Sequence, residues 1–194
     1  MKHILLEIFV DESRPDLYEM YKTHIEKHNA GLENNFYPNA GFDLFIPNNV
    51  EFTVPFQTQM VDLLIKTQMW EFNYSPDESA DLNNEIVREI KLDFSNYFST
   101  GYYLYPRSSL AKTQLMMANH VGIIDSGYRN NLLCAFRYLP IDDKSPTYNI
   151  EAGTRLVQIC HPSCLPVYVN LLTNKDKLTI TTRTGGFGST GGTV

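Results

Sequence analysis

Hydrophobic and polar positions change rhythm along this chain. Residues 4–10 (Ile-Leu-Leu-Glu-Ile-Phe-Val) are apolar but for one acid and predict a buried strand. Ser13-Arg-Pro-Asp16 then has the form of a capping box with proline in the first turn, which opens a helix. Leu17, Met20, Tyr21, His24, Ile25 and His28 recur at helical spacing, and Asn29-Ala-Gly31 is expected to end the helix. From residue 36 onward the rhythm is that of strands. Val50–Phe56 alternates, and Val61, Leu63, Ile65, Thr67 and Met69 share one face opposite Asp62, Lys66 and Gln68. A polar, acidic loop (Asn73 to Asn84) precedes another alternating run, in which Ile86, Arg88, Ile90, Leu92 and Phe94 face away from Val87, Glu89, Lys91 and Asp93. Gly101–Tyr105, Lys112–Ala118, Asn131–Leu139, Arg155–Cys160 and Leu165–Leu171 continue the series. Many short strands with turn signals between them, and one convincing helix, predict an all-β sandwich or barrel of the jelly-roll class.

Composition narrows the partners. The chain has 194 residues, enough for one domain with a real core, and its 43% hydrophobic and 20% charged residues are ordinary for a globular protein. A net charge of -6 without any run of Lys or Arg disfavours a nucleic-acid partner, though a small anionic ligand needs only a few cations. No stretch approaches the roughly 20 apolar residues of a membrane span, so no membrane partner is expected. The N-terminal apolar run is broken by Glu7 and does not read as a secretion signal. Three cysteines, Cys134, Cys160 and Cys164, are sparse and odd in number, which fits a reducing, intracellular compartment.

Four places carry candidate chemistry. Gly122-Ile-Ile-Asp-Ser-Gly-Tyr-Arg129 reads as a β-hairpin mouth that presents Asp125 and Tyr128, with Gly127 able to supply a left-handed turn residue. An acid three residues from a ring can hold a base beside a flat substrate, although any hairpin can carry such a pair. The glycine-rich end, Thr184 to Val194, is too poor in apolar side chains for core; it is either a frayed tail or a ring (Phe187) with hydroxyls, amides and Arg183 suited to a nucleoside phosphate. His24 and His28, one helical turn apart, are read as an amphipathic face rather than a metal pair, because no third ligand is near. Cys160-His-Pro-Ser-Cys164 is read as a strand end and proline turn rather than a zinc site.

Five segments in order, Ala40-Gly-Phe-Asp-Leu44, Pro106-Arg-Ser-Ser-Leu-Ala111, Gly122–Arg129, Gly153-Thr-Arg-Leu-Val-Gln158 and Arg183–Gly191, resemble the five motifs of the trimeric dUTPases. The resemblance runs from about residue 38 to the end. It implies a distorted jelly-roll barrel over residues 1–182, with an N-terminal helical extension at about 13–30, an insertion at about 68–98, and a C-terminal active-site arm at 183–194. Such embellishment is reminiscent of dUTPases from large DNA viruses or phages.

The resemblance implies hydrolysis of dUTP to dUMP and pyrophosphate by in-line attack of water on the α-phosphorus. That activity limits uracil incorporation into DNA and supplies dUMP for thymidylate. Asp125 takes the position of the general base. Tyr128 matches the ring that packs on deoxyribose and excludes a 2′-hydroxyl. Asn119, with the backbone of Gly122, Ile123 and Ile124, falls where uracil is read. Arg107 and Ser108, the Ser109 amide and Gln158 match phosphate contacts, and Asp43 matches an acid that supports Arg107 or the metal's waters. Phe187 matches the ring that stacks on uracil, while Arg183, Gly188, Ser189 and Thr190 fall in the arm that closes over the β- and γ-phosphates. Magnesium is implied to ride on the triphosphate and water, without a direct protein ligand. A homotrimer with composite sites between subunits is implied, in the cytoplasm or nucleus, or in a host cell if viral. Two alternatives are weighed: a dCTP deaminase-like enzyme, for which the Lys112–Asn119 segment lacks the needed acid, and a non-catalytic dUTPase-like binding protein, which has no need of Asp125.

Overall fold

The computed structural model describes residues 2–73, 97–142 and 147–182. The elements run β1 (Lys2–Val10), α1 (Pro15–Asn34), β2 (Gly41–Leu44), β3 (Val50–Phe52), β4 (Thr58–Asp62), β5 (Ile65–Asn73), β6 (Tyr97–Ser99), β7 (Tyr102–Pro106), β8 (Leu115–Met117), β9 (Gly122–Ile124), β10 (Leu133–Tyr138), β11 (Tyr148–Ile150), β12 (Val157–Cys160) and β13 (Val167–Leu172). Strands with one α-helix among the described residues meet the all-β expectation. They form four sheets, ordered β13-β1-β5-β6, β4-β10-β8, β11-β3 and β2-β12-β7-β9, which do not join into a closed barrel among the described residues. The alternating run expected at Ile86 to Phe94 lies outside them, as does most of the acidic loop before it.

β1 is the centre of the first sheet. It pairs antiparallel with β5 over its whole length and parallel with β13. Ile4, Leu6 and Ile8 are fully buried on one face, as period-two alternation requires. Val61, Leu63, Ile65, Thr67 and Met69 are all buried, as the pattern predicts, but Leu64 at φ 55° breaks the run into β4 and β5, which sit in different sheets.

α1 is built into this core. Leu17, Tyr21 and Ile25, spaced by four, are buried, each contributing on the order of 1.5–3 kcal/mol. The Tyr21 hydroxyl accepts from the Phe45 N–H at 3.1 Å, and burial raises its phenol pKa above the ordinary value. The helix also covers the outer edge of β13. Asn29 donates to the Val169 carbonyl at 2.8 Å and accepts from the Val169 N–H at 3.1 Å, while His28 Nε2 lies 2.8 Å from the Val167 carbonyl.

Both predicted ends of the helix need correction. Arg14 occupies the N-cap with no side-chain cap bond, because Ser13 donates instead to Asp11 through its N–H (3.0 Å) and hydroxyl (2.7 Å). At the other end the helix continues past Gly31 to Asn34, whose amide donates back to the Ala30 carbonyl. No helix among the described residues is long and apolar enough to cross a membrane.

Candidate functional site

The fourth sheet carries one cluster at the end of β7. β12 lies between β2 and β7, with Gln158 opposite both Asp43 and Tyr105. This register sets Asp43 beside the chain as it leaves β7, and Arg107 Nε meets Asp43 Oδ1 at 2.6 Å. Arg155 Nη1 approaches the other oxygen at 3.3 Å, so one carboxylate bridges two guanidiniums. Arg107 is fixed further by donation to the Arg155 carbonyl at 2.7 Å, and the Ser109 hydroxyl reaches that carbonyl at 3.5 Å. Gln158 donates to the Pro106 carbonyl at 3.4 Å. Its side chain crosses Gly41, where a Cβ would lie 2.3 Å from Gln158 Oε1, so position 41 admits no side chain without moving the amide. Arg107, exposed Ser108, Gln158, Asp43 and Arg155 share the lining of a cleft of about 620 Å³.

Arg155 is the residue that sequence reasoning missed here. It stands inside the Gly153–Gln158 segment, and its pairing with Asp43 depends on β12 lying beside β2.

The Asp125 turn forms differently from the expected hairpin. β9 pairs with β7, whereas β10 pairs with β4 and β8, so the turn carries the chain from one sheet to another. Two contacts explain this. Gly101 has no Cβ, which lets the Ile124 carbonyl and Asp125 Cα come within 3.0 and 3.9 Å of where one would stand. Buried Leu132 exchanges backbone bonds with Leu63 and Ile65, drawing the chain away from β9. The described glycine with positive φ is Gly153, not Gly127. Asp125 is exposed, and its carbonyl accepts from the Tyr128 N–H at 2.9 Å. Tyr128 packs against the core and donates its hydroxyl to the Asn131 carbonyl at 2.9 Å; burial raises its phenol pKa. Exposed Asn119 lies in the turn before β9, where Gly122 is buried against Leu104 and Ile123 is exposed.

Arg129, also unassigned from sequence, ties this turn to the end of the described chain. It donates to the Ser126 and Tyr128 carbonyls and to Thr179 Oγ1 at 2.6 Å, and the Thr181 hydroxyl donates to the Gly127 carbonyl. Arg183, Phe187, Gly188, Ser189 and Thr190 lie outside the described residues.

The two halves of the candidate site sit at opposite ends of β7. Ile124 pairs with Tyr102, while Arg107 follows Pro106, a separation of roughly 17 Å at about 3.3 Å per residue. A base and the donors that grip one phosphate must lie within a few ångströms of the same group.

His24 lies tilted against Phe42 and edge-on to Phe45, with centroids 4.7 and 5.2 Å away, and its pKa is lowered by burial and then by Arg155. β12 ends at Cys160, and the turn that follows closes with His161 Nδ1 against the Ser163 hydroxyl at 2.7 Å. Burial, with Cys164 and Asp43 nearby, pushes the Cys160 thiol up to about 11.

In sequence the chain is similar to deoxyuridine 5′-triphosphate nucleotidohydrolases. It is 40% identical over 93 residues to that of Desulfitobacterium hafniense, covering 47% of this chain and 57% of the relative. The Rhodococcus erythropolis enzyme is 37% identical over 92 residues, covering 46% of this chain and 52% of the relative. The match thus spans little more than half the length of the curated relatives. No family model matches the chain. Among solved structures, the Staphylococcus bacteriophage 80alpha dUTPase aligns with a TM-score of 0.43 at 17% identity, over 79% of this chain and 89% of that one. A mutant dUTPase from phage phi11 of S. aureus aligns with a TM-score of 0.40 at 18% identity, over 63% and 75%. Those structural likenesses are too slight to bear on the argument.

Proposed function

We propose that this chain is a dUTP pyrophosphatase of the trimeric jelly-roll family, converting dUTP to dUMP and pyrophosphate in an intracellular compartment. One observation carries the reading: in a chain 40% identical over 93 residues to a curated dUTP nucleotidohydrolase, Arg107, Ser108 and Gln158 lie together along one cleft. A partly buried arginine held by Asp43 and the Arg155 carbonyl is suited to bidentate phosphate contact.

In this reading Asp125 accepts the proton of the attacking water, and the opposite end of β7 supplies donors for charge developing on phosphate oxygens. Because the two ends are roughly 17 Å apart in one chain, we assign them to different subunits, with Asp125 of one facing Arg107 of the next. Tyr128, fixed through its hydroxyl, is the wall against the sugar. Asn119 and the β9 backbone read uracil, and the arm at 183–194 closes over the nucleotide. Magnesium belongs to the triphosphate and its waters, where it supplies charge neutralisation. The donor set fits that arrangement, since both oxygens of Asp43 are engaged by guanidiniums and the cleft offers cations to phosphate.

The reading is tested by pyrophosphate release from dUTP, dCTP, TTP, UTP and dUDP with magnesium. Release from dUTP alone, by at least about a hundredfold over the others, is expected. Ammonia release from dCTP would select the deaminase alternative.

A further inference from the structure

α1 stands outside the five segments that carry the resemblance, yet it forms one wall of the cleft. His24, Lys27, His28, Gly31 and Asn35 line it at intervals of three and four, a single stripe along the helix and its C-cap. Opposite them are Arg107 and Arg155. Both oxygens of Asp43 already meet those arginines. Lys27 is exposed and forms no ion pair with any described residue. Three cations therefore line the cleft with a single carboxylate, in a chain whose net charge is -6. At Gly31, which also lines the cleft, an added Cβ would meet nothing within 4 Å.

We propose that α1 is a wall of the polyphosphate site, with Lys27 a phosphate-binding side chain that the sheet segments do not provide. The inference rests on the dUTP reading above for the identity of the nucleotide. An ammonium on a flexible stem suits this place, because it follows a phosphate chain as a point charge while the arginines fix its orientation. Gly31 keeps the helix clear of the space that the phosphates occupy.

The test uses full-length Lys27→Met, Lys27→Arg and Gly31→Gln, with dUTP kinetics and calorimetric binding of inorganic tripolyphosphate. Lys27→Met should raise KM for dUTP and weaken tripolyphosphate binding about three- to tenfold with kcat nearly unchanged, the signature of lost uniform binding. Lys27→Arg should recover most of that loss. Gly31→Gln should weaken both ligands by filling the cleft, yet melt no lower than the parent, since glutamine is the better helix former. If the parent hydrolyses dUTP but neither Lys27→Met nor Gly31→Gln changes KM or tripolyphosphate binding, the proposal is overturned and the hydrolase reading stands. If the parent does not hydrolyse dUTP, that reading fails, and a Lys27-dependent tripolyphosphate affinity still decides the proposal.

Discussion

Replacing Asp43 by asparagine probes the cluster at its hinge. The side chain keeps its shape but loses the charge that Arg107 Nε meets at 2.6 Å and Arg155 Nη1 at 3.3 Å. The Arg107 contact is the shorter and better shielded, with Asp43 18% and Arg107 28% exposed, so its loss is set at about 1.5–3 kcal/mol. Arg155 is 40% exposed, and solvent screening reduces its share to at most about 1 kcal/mol. A chain of this length shifts by about 2–4 °C per kcal/mol, so a total of about 1.5–4 kcal/mol lowers the melting midpoint by roughly 3–16 °C. Because Arg107 is then held mainly by its bond to the Arg155 carbonyl, KM for dUTP should rise severalfold, beyond any change in kcat. Melting must be compared at one protein concentration, since a trimer of the proposed kind would make the midpoint concentration-dependent. A variant that melts within a degree of the parent and keeps its KM refutes the reasoning. Arg107 would then be held by its bond to the Arg155 carbonyl alone.

Asp125→Asn should retain dUTP binding while kcat falls by several orders of magnitude; near-normal turnover removes Asp125 as the base. Glu7 is a buried carboxylate that accepts from Gln68, Trp70 and Asn170, so Glu7→Ala leaves three donors short of an acceptor and should cost about 3–5 kcal/mol in urea unfolding. Burial lowers the pKa of His24 and His28 below the ordinary 6.5, which means the unfolded chain binds protons more readily. Their contribution is complete above that value and is lost as pH falls through the folded values. Urea midpoints should therefore drop from pH 7.5 to 5.5, less steeply in His28→Gln, and a rise would contradict the sign.

Local periodicity was enough to find β1, α1, β5 and β10, because each buries one face at a regular interval. It placed the end of α1 wrongly, since a glycine is a stop signal only if the next turn gains nothing from continuing, and Asn29 and His28 hold this helix against β13. The hairpin at Asp125 failed for a related reason. Sequence adjacency suggested that β9 and β10 pair, but Gly101 opens a closer berth on β7. Motif order located Asp43, Arg107 and Gln158, whereas Arg155 and Arg129 owe their interest to contacts between distant segments, and Lys27 to its place on the cleft. No local pattern marks such residues.

The central claim is that the base and the phosphate grip come from different subunits. Asp125→Asn and Arg107→Ala, each inactive alone, should be unfolded together in equal amounts, refolded, and assayed for pyrophosphate release from dUTP. Random trimers place an intact Asp125 opposite an intact Arg107 at one interface in four, so about a quarter of the parent activity should return. If the mixture stays as inactive as its components although mixed trimers form, both residues serve one subunit's site and the account is wrong.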